Sequence, residues 1–381
     1  MQRLTIDPRP DWKSRMEDIG FQFHTLNGVY WNEGACYRLT AREVDELEDA
    51  TNELQRLCRA AVTHVIDNNL FDRLHIPPAF AALARASWEQ QAPSVYGRFD
   101  LVYDGTQAPK LLEYNADTPT ALFEASVAQW YWLQDHAAHK DQFNAIHERL
   151  LERWQEIGAR LPRGETVYFA CLQDNVEDYV TTEYLRDTAQ QAGLPTSAID
   201  VEDIGYDTQE KFFVDTEDRA IGTLFKLYPW EWLMQEDFAP QLLTQSWRLL
   251  EPAWKMLLSN KGILPILWEL FPDHPNLLPA YFEPGPLGAT YVQKPLLSRE
   301  GANVTIRSSD GVLASPGDYG QEGWIYQAHC PLPVYDGNHA VIGSWIIGET
   351  AAGIGIREDD GPITRNTSRF VPHYFDQEAS C

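Results

Sequence analysis

The stretch TVYFACLQDNVEDYVTTEYLRDTAQQAGLPTSAID, at residues 166–200, carries the clearest indication of how this chain is built. It opens with a continuous apolar strand, TVYFACL, and continues as a helix over 177–193 that ends at a glycine. TSAID then starts a second strand. Because two strands connected through a helix lie parallel, the stretch predicts a βαβ unit within a parallel sheet.

Upstream of that unit, the sequence predicts helices and one hairpin. Apolar residues recur at helical spacing over 41–69, and further helices are expected at about 120–135 and 141–160. RFDLVY (98–103) and PKLLEYN (109–115) are short, rich in strand-forming residues and separated by the turn sequence DGTQA. These two segments are therefore predicted to pair as a β-hairpin.

Downstream, the pattern changes from parallel to antiparallel. A strand is expected in AIGTLFKLYPWEW, and 244–270 has a mostly helical pattern. Beyond residue 290, turns rich in Gly, Asp and Pro separate five predicted strands: YVQKPLL, NVTIRSS, WIYQAHC, HAVIGSWIIG and AAGIGIRE. The fold class predicted from these patterns is α/β, with mixed parallel and antiparallel sheets (mixed α+β).

The composition argues against several classes of partner. The 381 residues include 30 Lys and Arg against 56 Asp and Glu, a formal net charge of −26. A chain this acidic repels phosphate backbones and anionic membrane surfaces, so no nucleic-acid or membrane partner is expected. The sequence shows no secretory signal and no apolar run that could span a bilayer, and its five cysteines are scattered without a CxxC pair. A cytoplasmic protein without a disulfide framework is predicted.

The densest polar cluster lies in the predicted hairpin. Alternation along a strand places Arg98 and Asp100 on one face, and Glu113 and Asn115 have the same spacing on the partner strand. If the strands pair in register, one guanidinium, two carboxylates and one amide share a face. Such oxygen ligands suit Mg²⁺, and an adjacent arginine suits phosphate. A solvated face with ordinary ion pairs is the alternative interpretation.

A second polar cluster follows a later strand. Lys294 ends that strand and precedes a polar loop at 298–303 that contains Gly301. A glycine-containing loop can fold its backbone N–H groups over phosphates while a strand lysine neutralises them. Lys261, in the segment SNKG, is a third cation, isolated in the sequence. A solvated hairpin and a surface lysine are the alternatives for these residues.

Long motifs tie the clusters together. The stretches YGRFDLVYDG, KLLEYNADTPTALFEASVAQWYW, LFKLYPWEW, EPAWKMLLSNKGILPILWELFP, YVQKPLLSREGANV and AGIGIREDDGPIT resemble the glutathionylspermidine synthase C-terminal family, and within it the stand-alone bacterial acid–amine ligase members. The resemblance runs from about residue 7 to residue 375 and implies an ATP-grasp ligase fold with an associated pre-ATP-grasp, parallel-sheet subdomain. It suggests an N-terminal region at 1–205, with the hairpin (98–115) and the βαβ subdomain (about 165–205), and an ATP-grasp nucleotide-binding region at 206–381.

The resemblance also implies roles for individual residues. Arg98 matches the arginine that stabilises the transferring phosphoryl group and contacts ATP. The Mg²⁺ ligands of the family match Asp100, Glu113 and Asn115. Its other ATP-binding positions match Lys261, Lys294, Gly301 and Gln327. Two acids that contact substrate match Glu177 and Asp178. Two Mg²⁺ ions are expected with the ATP.

The implied activity is an ATP-dependent acid–amine ligase that forms an amide through an acyl phosphate. Its expected substrates are a small carboxylic acid or peptide and an amine such as a polyamine. The bifunctional members carry an amidase domain, which this sequence is expected to lack. Two other classes are weighed against the ligase: a glycoside hydrolase that uses paired carboxylates, and a nucleotide-binding protein without turnover. The hydrolase would leave Arg98, Lys261 and Lys294 unexplained.

Overall fold

The computed structural model describes residues 1–25, 28–244, 247–309 and 311–376. Within these residues the α-helices, in chain order, are α1 (Trp12–Asp18), α2 (Ala41–Asp67), α3 (Pro78–Glu89), α4 (Gln129–Ala137), α5 (Ile146–Gly158), α6 (Val176–Gln191), α7 (Trp230–Leu233), α8 (Ala239–Leu242), α9 (Met256–Ser259) and α10 (Ile263–Leu270). The strands are β1 (Gln2–Thr5), β2 (Ala35–Thr40), β3 (Tyr96–Val102), β4 (Lys110–Asn115), β5 (Val167–Cys171), β6 (Thr196–Asp200), β7 (Gly205–Asp207), β8 (Phe212–Val214), β9 (Thr223–Lys226), β10 (Arg248–Leu250), β11 (Ala280–Tyr281), β12 (Tyr291–Pro295), β13 (Thr305–Ser308), β14 (Gly311–Ala314), β15 (Trp324–Ala328), β16 (Val334–Tyr335), β17 (Asn338–Ile347), β18 (Thr350–Asp359), β19 (Arg369–Val371) and β20 (His373–Asp376).

The predicted βαβ unit is formed by β5, α6 and β6. These strands belong to a four-stranded sheet in the order β10–β9–β5–β6, and every pairing in it is parallel. All residues of β5 are buried, as expected for a central strand covered on both faces. Asn175 caps α6, because its side chain accepts hydrogen bonds from the first backbone N–H groups of the helix. The parallel-sheet prediction is therefore confirmed.

Two antiparallel sheets contain most of the strands that follow residue 290, together with the predicted hairpin. One has the order β19–β18–β17–β3–β4, with β16 also paired to β17, and the other has the order β11–β15–β12–β13–β14. The first sheet joins the predicted hairpin, β3 and β4, to strands that follow it by more than two hundred residues. A cleft lies between the two sheets, since its lining includes residues of β3, β4, β12 and β15.

The long helix α2 supports the sheet that carries the hairpin. Thr40 and Glu43 form a reciprocal capping box at its start, in which each side chain accepts a hydrogen bond from the other residue's backbone N–H. Its buried residues, including Leu47, Leu54 and Val65, recur at helical spacing. Because α2 contacts β17 and β18, this apolar face fixes the back of the sheet.

Two predicted helices differ from the observed ones. At 120–135, a π-helical turn over Glu124–Ala128 comes first, and α4 continues to Ala137. At 244–270, the chain forms the edge strand β10 and then two short helices, α9 and α10. Pro252 lies between β10 and α9, and it lacks the backbone N–H that a continuous helix would require. The mostly helical prediction was therefore wrong for the first part of this segment.

The division of the chain near residue 205 stays a prediction. The six-stranded sheet contains strands from both sides of that boundary, since β3 and β4 precede it and β16 to β19 follow it. Among the described residues, no helix combines the length and the apolar character that crossing a membrane requires.

Candidate active site

The hairpin pairs in the register that brings its polar residues together. Arg98 lies opposite Asn115, and Asp100 lies opposite Glu113. The next pair joins Leu101 to Leu111, so Leu112 has no partner residue and forms a β-bulge in β4. The side chains of the four polar residues therefore share the face that borders the cleft, as the spacing predicts.

Arg98 is held by three hydrogen bonds. Its Nε donates to Asp100 Oδ1 over 2.8 Å and its Nη2 to Asp100 Oδ2 over 3.3 Å, while Nη1 donates to the Thr120 carbonyl over 2.6 Å. Burial lowers the pKa of Arg98, but the charge of Asp100 and the bond to it outweigh burial, and the net pKa is raised. The guanidinium group thus stays charged and fixed. Among the described residues, three of its five N–H bonds have an acceptor and two are still available.

Arg357 is a site residue for which the sequence predicted no role. It lies on β18, and its Nη2 donates to Asp100 Oδ2 over 2.8 Å. Asp100 therefore lies between two guanidinium groups. The motif AGIGIREDDGPIT contains Arg357 and carried part of the family resemblance. That motif was the signal in the sequence that could have pointed to Arg357. Its contact with Asp100 depends on β18 packing in the same sheet as β17 and β3, which are distant from one another in the chain.

Glu113 joins the hairpin to a lysine that was isolated in the sequence. Its Oε2 lies 3.2 Å from Lys261 Nζ, and the Asn115 side-chain nitrogen lies 3.4 Å from its Oε1. Burial raises the pKa of Glu113, but the charges of Lys261 and Lys294 outweigh burial and bring the pKa down to about 2. Glu113 is therefore an anion at any physiological pH.

The β-bulge has a direct role in placing Lys294. Lys294 Nζ donates to the carbonyl of the bulged Leu112 over 2.9 Å and to Gln327 Oε1 over 2.8 Å. Gln327 Nε2 in turn donates to the Leu111 carbonyl over 3.0 Å. Burial is the main cause that lowers the pKa of Lys294, to about 8. These contacts attach β4, the edge strand of the six-stranded sheet, to β12 and β15 in the five-stranded sheet across the cleft.

The loop at 298–303 closes one end of the cleft. Gly301 has a φ of +69°, and a Cβ there would collide with the carbonyl oxygen of Thr364, so only glycine suits the position. The Ser298 carbonyl accepts a hydrogen bond from Lys261 Nζ over 2.6 Å. The Ser298 hydroxyl is buried and has no hydrogen-bond partner in the described part of the chain. A buried unpartnered hydroxyl in a residue that contacts Lys261 fits a site that receives an anionic ligand.

Glu177 and Asp178 lie in the first turn of α6, directly after the parallel strand β5. The side chain of Thr120 lies close enough to Glu177 to lower the pKa of that acid, and the carbonyl of the same residue accepts from Arg98. Burial is the largest cause that raises the pKa of both acids, to about 7 for Asp178. The structure thus brings the two acids to the Arg98 side of the cleft, at the carboxyl end of a parallel strand.

The cleft is a partly open space between the two antiparallel sheets. Asp100, Glu113, Lys294, Gly301 and Gln327 line it, together with apolar side chains. Within the ranges that the structure describes, no group of three or more His, Cys, Asp or Glu residues is arranged to hold a metal. A metal here would depend on two carboxylates and an amide.

The chain is similar to known ligases along nearly its full length. A family model described as "Glutathionylspermidine synthase preATP-grasp" matches residues 3–376. A Haemophilus influenzae protein named "Putative acid–amine ligase" is 43% identical over 394 residues, which cover 98% of this chain and 100% of that protein. A Crithidia fasciculata trypanothione synthetase is 32% identical over 327 residues, which cover 78% of this chain and 49% of that protein.

Two further comparisons extend this picture. The Escherichia coli bifunctional glutathionylspermidine synthetase/amidase is 27% identical over 95% of this chain, which corresponds to 63% of that protein. The structure of a glutathione synthetase-like effector from Globodera pallida superposes with a TM-score of 0.58 at 10% identity, covering 90% of this chain and 89% of that one. This second likeness concerns the fold alone, and it confirms the predicted mixed α/β fold. The chain belongs to the glutathionylspermidine synthase pre-ATP-grasp family.

Proposed function

We propose that the protein is an ATP-dependent acid–amine ligase that forms an amide through an acyl phosphate. The observation that carries this proposal is one cleft lined by Asp100, Glu113 and Lys294. Arg98 pairs with the first of these carboxylates and Lys261 with the second. Cations suit the phosphates of a nucleotide, and carboxylates suit the metal that accompanies them. The names of the relatives support the same class of reaction, since they describe ligases and synthetases.

The residues present fit a magnesium–ATP complex. Asp100 and Glu113 are cross-strand neighbours, and the Asn115 amide lies 3.2 Å and 3.4 Å from their oxygens, so a rotated amide would add a third oxygen. We propose that these three residues hold Mg²⁺, two ions in all, which neutralise the triphosphate when bound. Lys261, Lys294 and Gly301 would contact phosphates, and Gln327 would lie beside the base.

Arg98 and the loop at 298–303 supply the rest of the proposed chemistry. Two N–H bonds of Arg98 remain available to meet the charge that develops on the transferring phosphoryl group. The loop covers the cleft from the side of Lys261 and would exclude water, which would otherwise hydrolyse an acyl phosphate. Glu177 and Asp178 would bind the cationic amine beside Arg98.

The structure argues against the glycoside hydrolase alternative. In that alternative the paired carboxylates of the hairpin act on the sugar, and one of these two needs a raised pKa to protonate the leaving group. The pKa of Glu113 is instead lowered to about 2, and Asp100 is bound by two arginines. A nucleotide-binding protein without turnover is disfavoured, because Arg98 and the proposed metal ligands lie together in the cleft.

Phosphate release in the presence of Mg-ATP tests the proposal. We expect release that requires both a carboxylic acid and an amine, and the panel should begin with glutathione and spermidine, which the names of the relatives suggest. Small peptides and other polyamines follow in the panel. Release of sugars from oligosaccharides would contradict the ligase. ATP binding without turnover on any pair of acid and amine would contradict it as well. A cytoplasmic location remains part of this proposal.

Replacing Glu113 with alanine should abolish the metal dependence of ATP binding. In the native protein we expect Mg-ATP to bind at least about tenfold more tightly than ATP in EDTA, the equivalent of about 1.4 kcal/mol. The variant loses a metal ligand and also a carboxylate that repels the phosphates, so the two affinities should converge. Calorimetry with and without EDTA measures both. Glu269→Ala, at an exposed ion pair with Arg73, is the control and should keep the full difference.

Replacing all five cysteines with alanine should leave turnover within a few-fold. Burial raises the pKa of Cys36 and Cys58 to about 12 and that of Cys171 to about 11, so these thiols are not nucleophiles at neutral pH. The pKa of Cys330 is also raised, and Cys381 lies outside the described residues. Steady-state kinetics on the fivefold variant checks this. Loss of turnover in a single replacement that keeps the native melting temperature would contradict it.

A further inference from the structure

Glu124 is a buried carboxyl group that the proposed reaction has not yet used. It lies on the π-helical turn before α4 and is fully buried. The Tyr30 hydroxyl donates to its Oε1 over 2.6 Å, whereas its Oε2 has no hydrogen-bond partner in the described part of the chain. Buried polar atoms are rarely left unpaired in folded proteins, and π-helical turns occur frequently at functional sites. Both features suggest a role beyond packing.

The surroundings of Glu124 connect it to the proposed reaction centre. Glu124 follows Thr120 by four residues, and Thr120 contacts both Arg98, through its carbonyl, and Glu177, through its side chain. The charges that act on Glu124 come from Glu177 on α6 and from Arg98 on β3. The charge of Arg357, on β18, acts on its partner Tyr30. Glu124 thus lies within reach of the charges of Arg98 and Glu177, and its unpartnered Oε2 is available to a proton donor at this part of the site.

The chemistry of amide formation requires a proton acceptor. An alkylamine resembles the lysine side chain, whose pKa is about 10.4, so it arrives mostly as an ammonium ion that cannot attack a carbonyl. An effective acceptor has a pKa near the working pH. Burial first, and the charge of Glu177 second, raise the pKa of Glu124 to about 8, whereas the hydrogen bond from Tyr30 lowers it. Glu113 and Asp100 are unsuitable, because both are already paired with cations.

We propose that Glu124 takes the proton of the attacking amine, which makes it a further catalytic residue of the reaction proposed above. The N–H bond of the ammonium ion breaks, and the proton goes to Glu124 Oε2. The lone pair left on nitrogen then forms the C–N bond, and the C–O bond to phosphate breaks. The second N–H proton of the attacking nitrogen goes to the departing phosphate oxygen, so inorganic phosphate leaves as hydrogen phosphate. The ammonium ion itself favours the ionised form of Glu124 on approach, because an opposite charge lowers a carboxyl pKa. This inference rests on the proposed function.

Two nucleophiles separate a proton acceptor from a structural residue. Hydroxylamine is a much weaker base than an alkylamine and is already neutral near pH 7. It therefore needs no acceptor for the first proton, and its remaining N–H proton can leave with phosphate as in the amine reaction. In Glu124→Gln, which keeps an acceptor for Tyr30, amide formation from glutathione and spermidine should fall by about 10²–10⁴, the range of general base catalysis. Hydroxamate formation from glutathione and hydroxylamine should stay within a few-fold of the native rate. An equal fall of both rates, or no fall, would overturn the proposal.

Asp178 is the rival acceptor, since its pKa is raised to about 7. Asp178→Asn should raise the KM for spermidine and leave the ratio of amide to hydroxamate rates close to native. A variant of Asp178 that selectively loses amide formation would assign the proton transfer to Asp178 instead of Glu124.

Tyr30→Phe provides a third readout. It removes a bond that lowers the pKa of Glu124, so the rising limb of amide formation with pH should move to higher pH.

Infrared difference spectroscopy tests Glu124 without turnover. The difference between the spectra of the native protein and of Glu124→Gln should show one band of a protonated carboxyl group. That band should disappear as the pH rises through the alkaline range. Added spermidine should move that transition to lower pH, because a cation then lies beside the carboxylate. An unchanged transition with spermidine and with other polyamines would overturn the proposal. If the native protein forms no product from any acid in the panel, the proposed function fails, and the infrared result still decides whether amines reach Glu124.

Discussion

Replacing Arg98 with lysine should lower kcat and kcat/KM together, by about 10²–10³, with little change in the KM for ATP. This loss corresponds to about 3–4 kcal/mol of transition-state stabilisation. Lysine keeps the charge but has no planar group of donors. Asp100 and Thr120 hold the guanidinium in place, so its free N–H bonds need no rearrangement when charge develops on the phosphoryl group.

Arg3→Lys is the matched control for this substitution. Arg3 also makes a two-pronged contact with a buried carboxylate, since its Nε and Nη2 donate to Glu358 over 2.8 Å and 3.0 Å. It lies on β1, outside the cleft, so its replacement should affect stability and leave kcat within a few-fold. A fall of less than about tenfold in Arg98→Lys would mean that Arg98 only pairs with Asp100, because ordinary ion pairs contribute about 0–1 kcal/mol. Single-turnover ADP formation measures the effect before the amine is known.

Local patterns in the sequence were sufficient to predict the hairpin and its polar face. Strand alternation alone requires Arg98 and Asp100 to share a side, and a hairpin with a short turn brings Glu113 and Asn115 opposite them. The βαβ unit and the later antiparallel strands follow from equally local patterns. The bulge at Leu112 was not predicted, although it frees the carbonyl that binds Lys294. A bulge depends on packing against the second sheet, which a local pattern does not contain.

The residues that sequence patterns could not assign are those placed by long-range contacts. Lys261 precedes a short apolar helix and looks like a surface lysine, yet it is buried against Glu113, far away in the chain. Only the family resemblance gave it a role. Arg357 and Glu124 depend similarly on the packing of β18 and of the π-helical turn. Their chemistry comes from burial and neighbouring charge, neither of which a spacing rule describes.

A buried ion pair connects the parallel sheet to the end of the hairpin. Lys226 ends β9, and its Nζ donates to Asp117 Oδ1 over 2.7 Å and to the Tyr228 carbonyl over 2.8 Å. Asp117 Oδ2 accepts from the Trp230 backbone N–H over 2.8 Å, and both charged side chains are almost fully buried. Asp117 follows the proposed metal ligand Asn115 by two residues. The pair therefore fixes the position of the hairpin relative to the parallel sheet, whose strand β5 precedes the helix that carries Glu177 and Asp178.

Replacing Lys226 with methionine should lower the free energy of unfolding by about 3–5 kcal/mol, because it leaves Asp117 as an unpaired buried charge. That loss is a large part of the roughly 5–15 kcal/mol that stabilises a typical domain. Adding Asp117→Asn should recover much of it, since the amide oxygen still accepts from Trp230 and no charge remains buried. Urea unfolding of the single and double variants measures both values.

Arg73→Met, at the half-exposed pair with Glu269, is the control and should lower the free energy of unfolding by at most about 1 kcal/mol. A loss in Lys226→Met no larger than that of Arg73→Met, or a double variant no more stable than the single one, would show that the buried pair does not hold the hairpin in place.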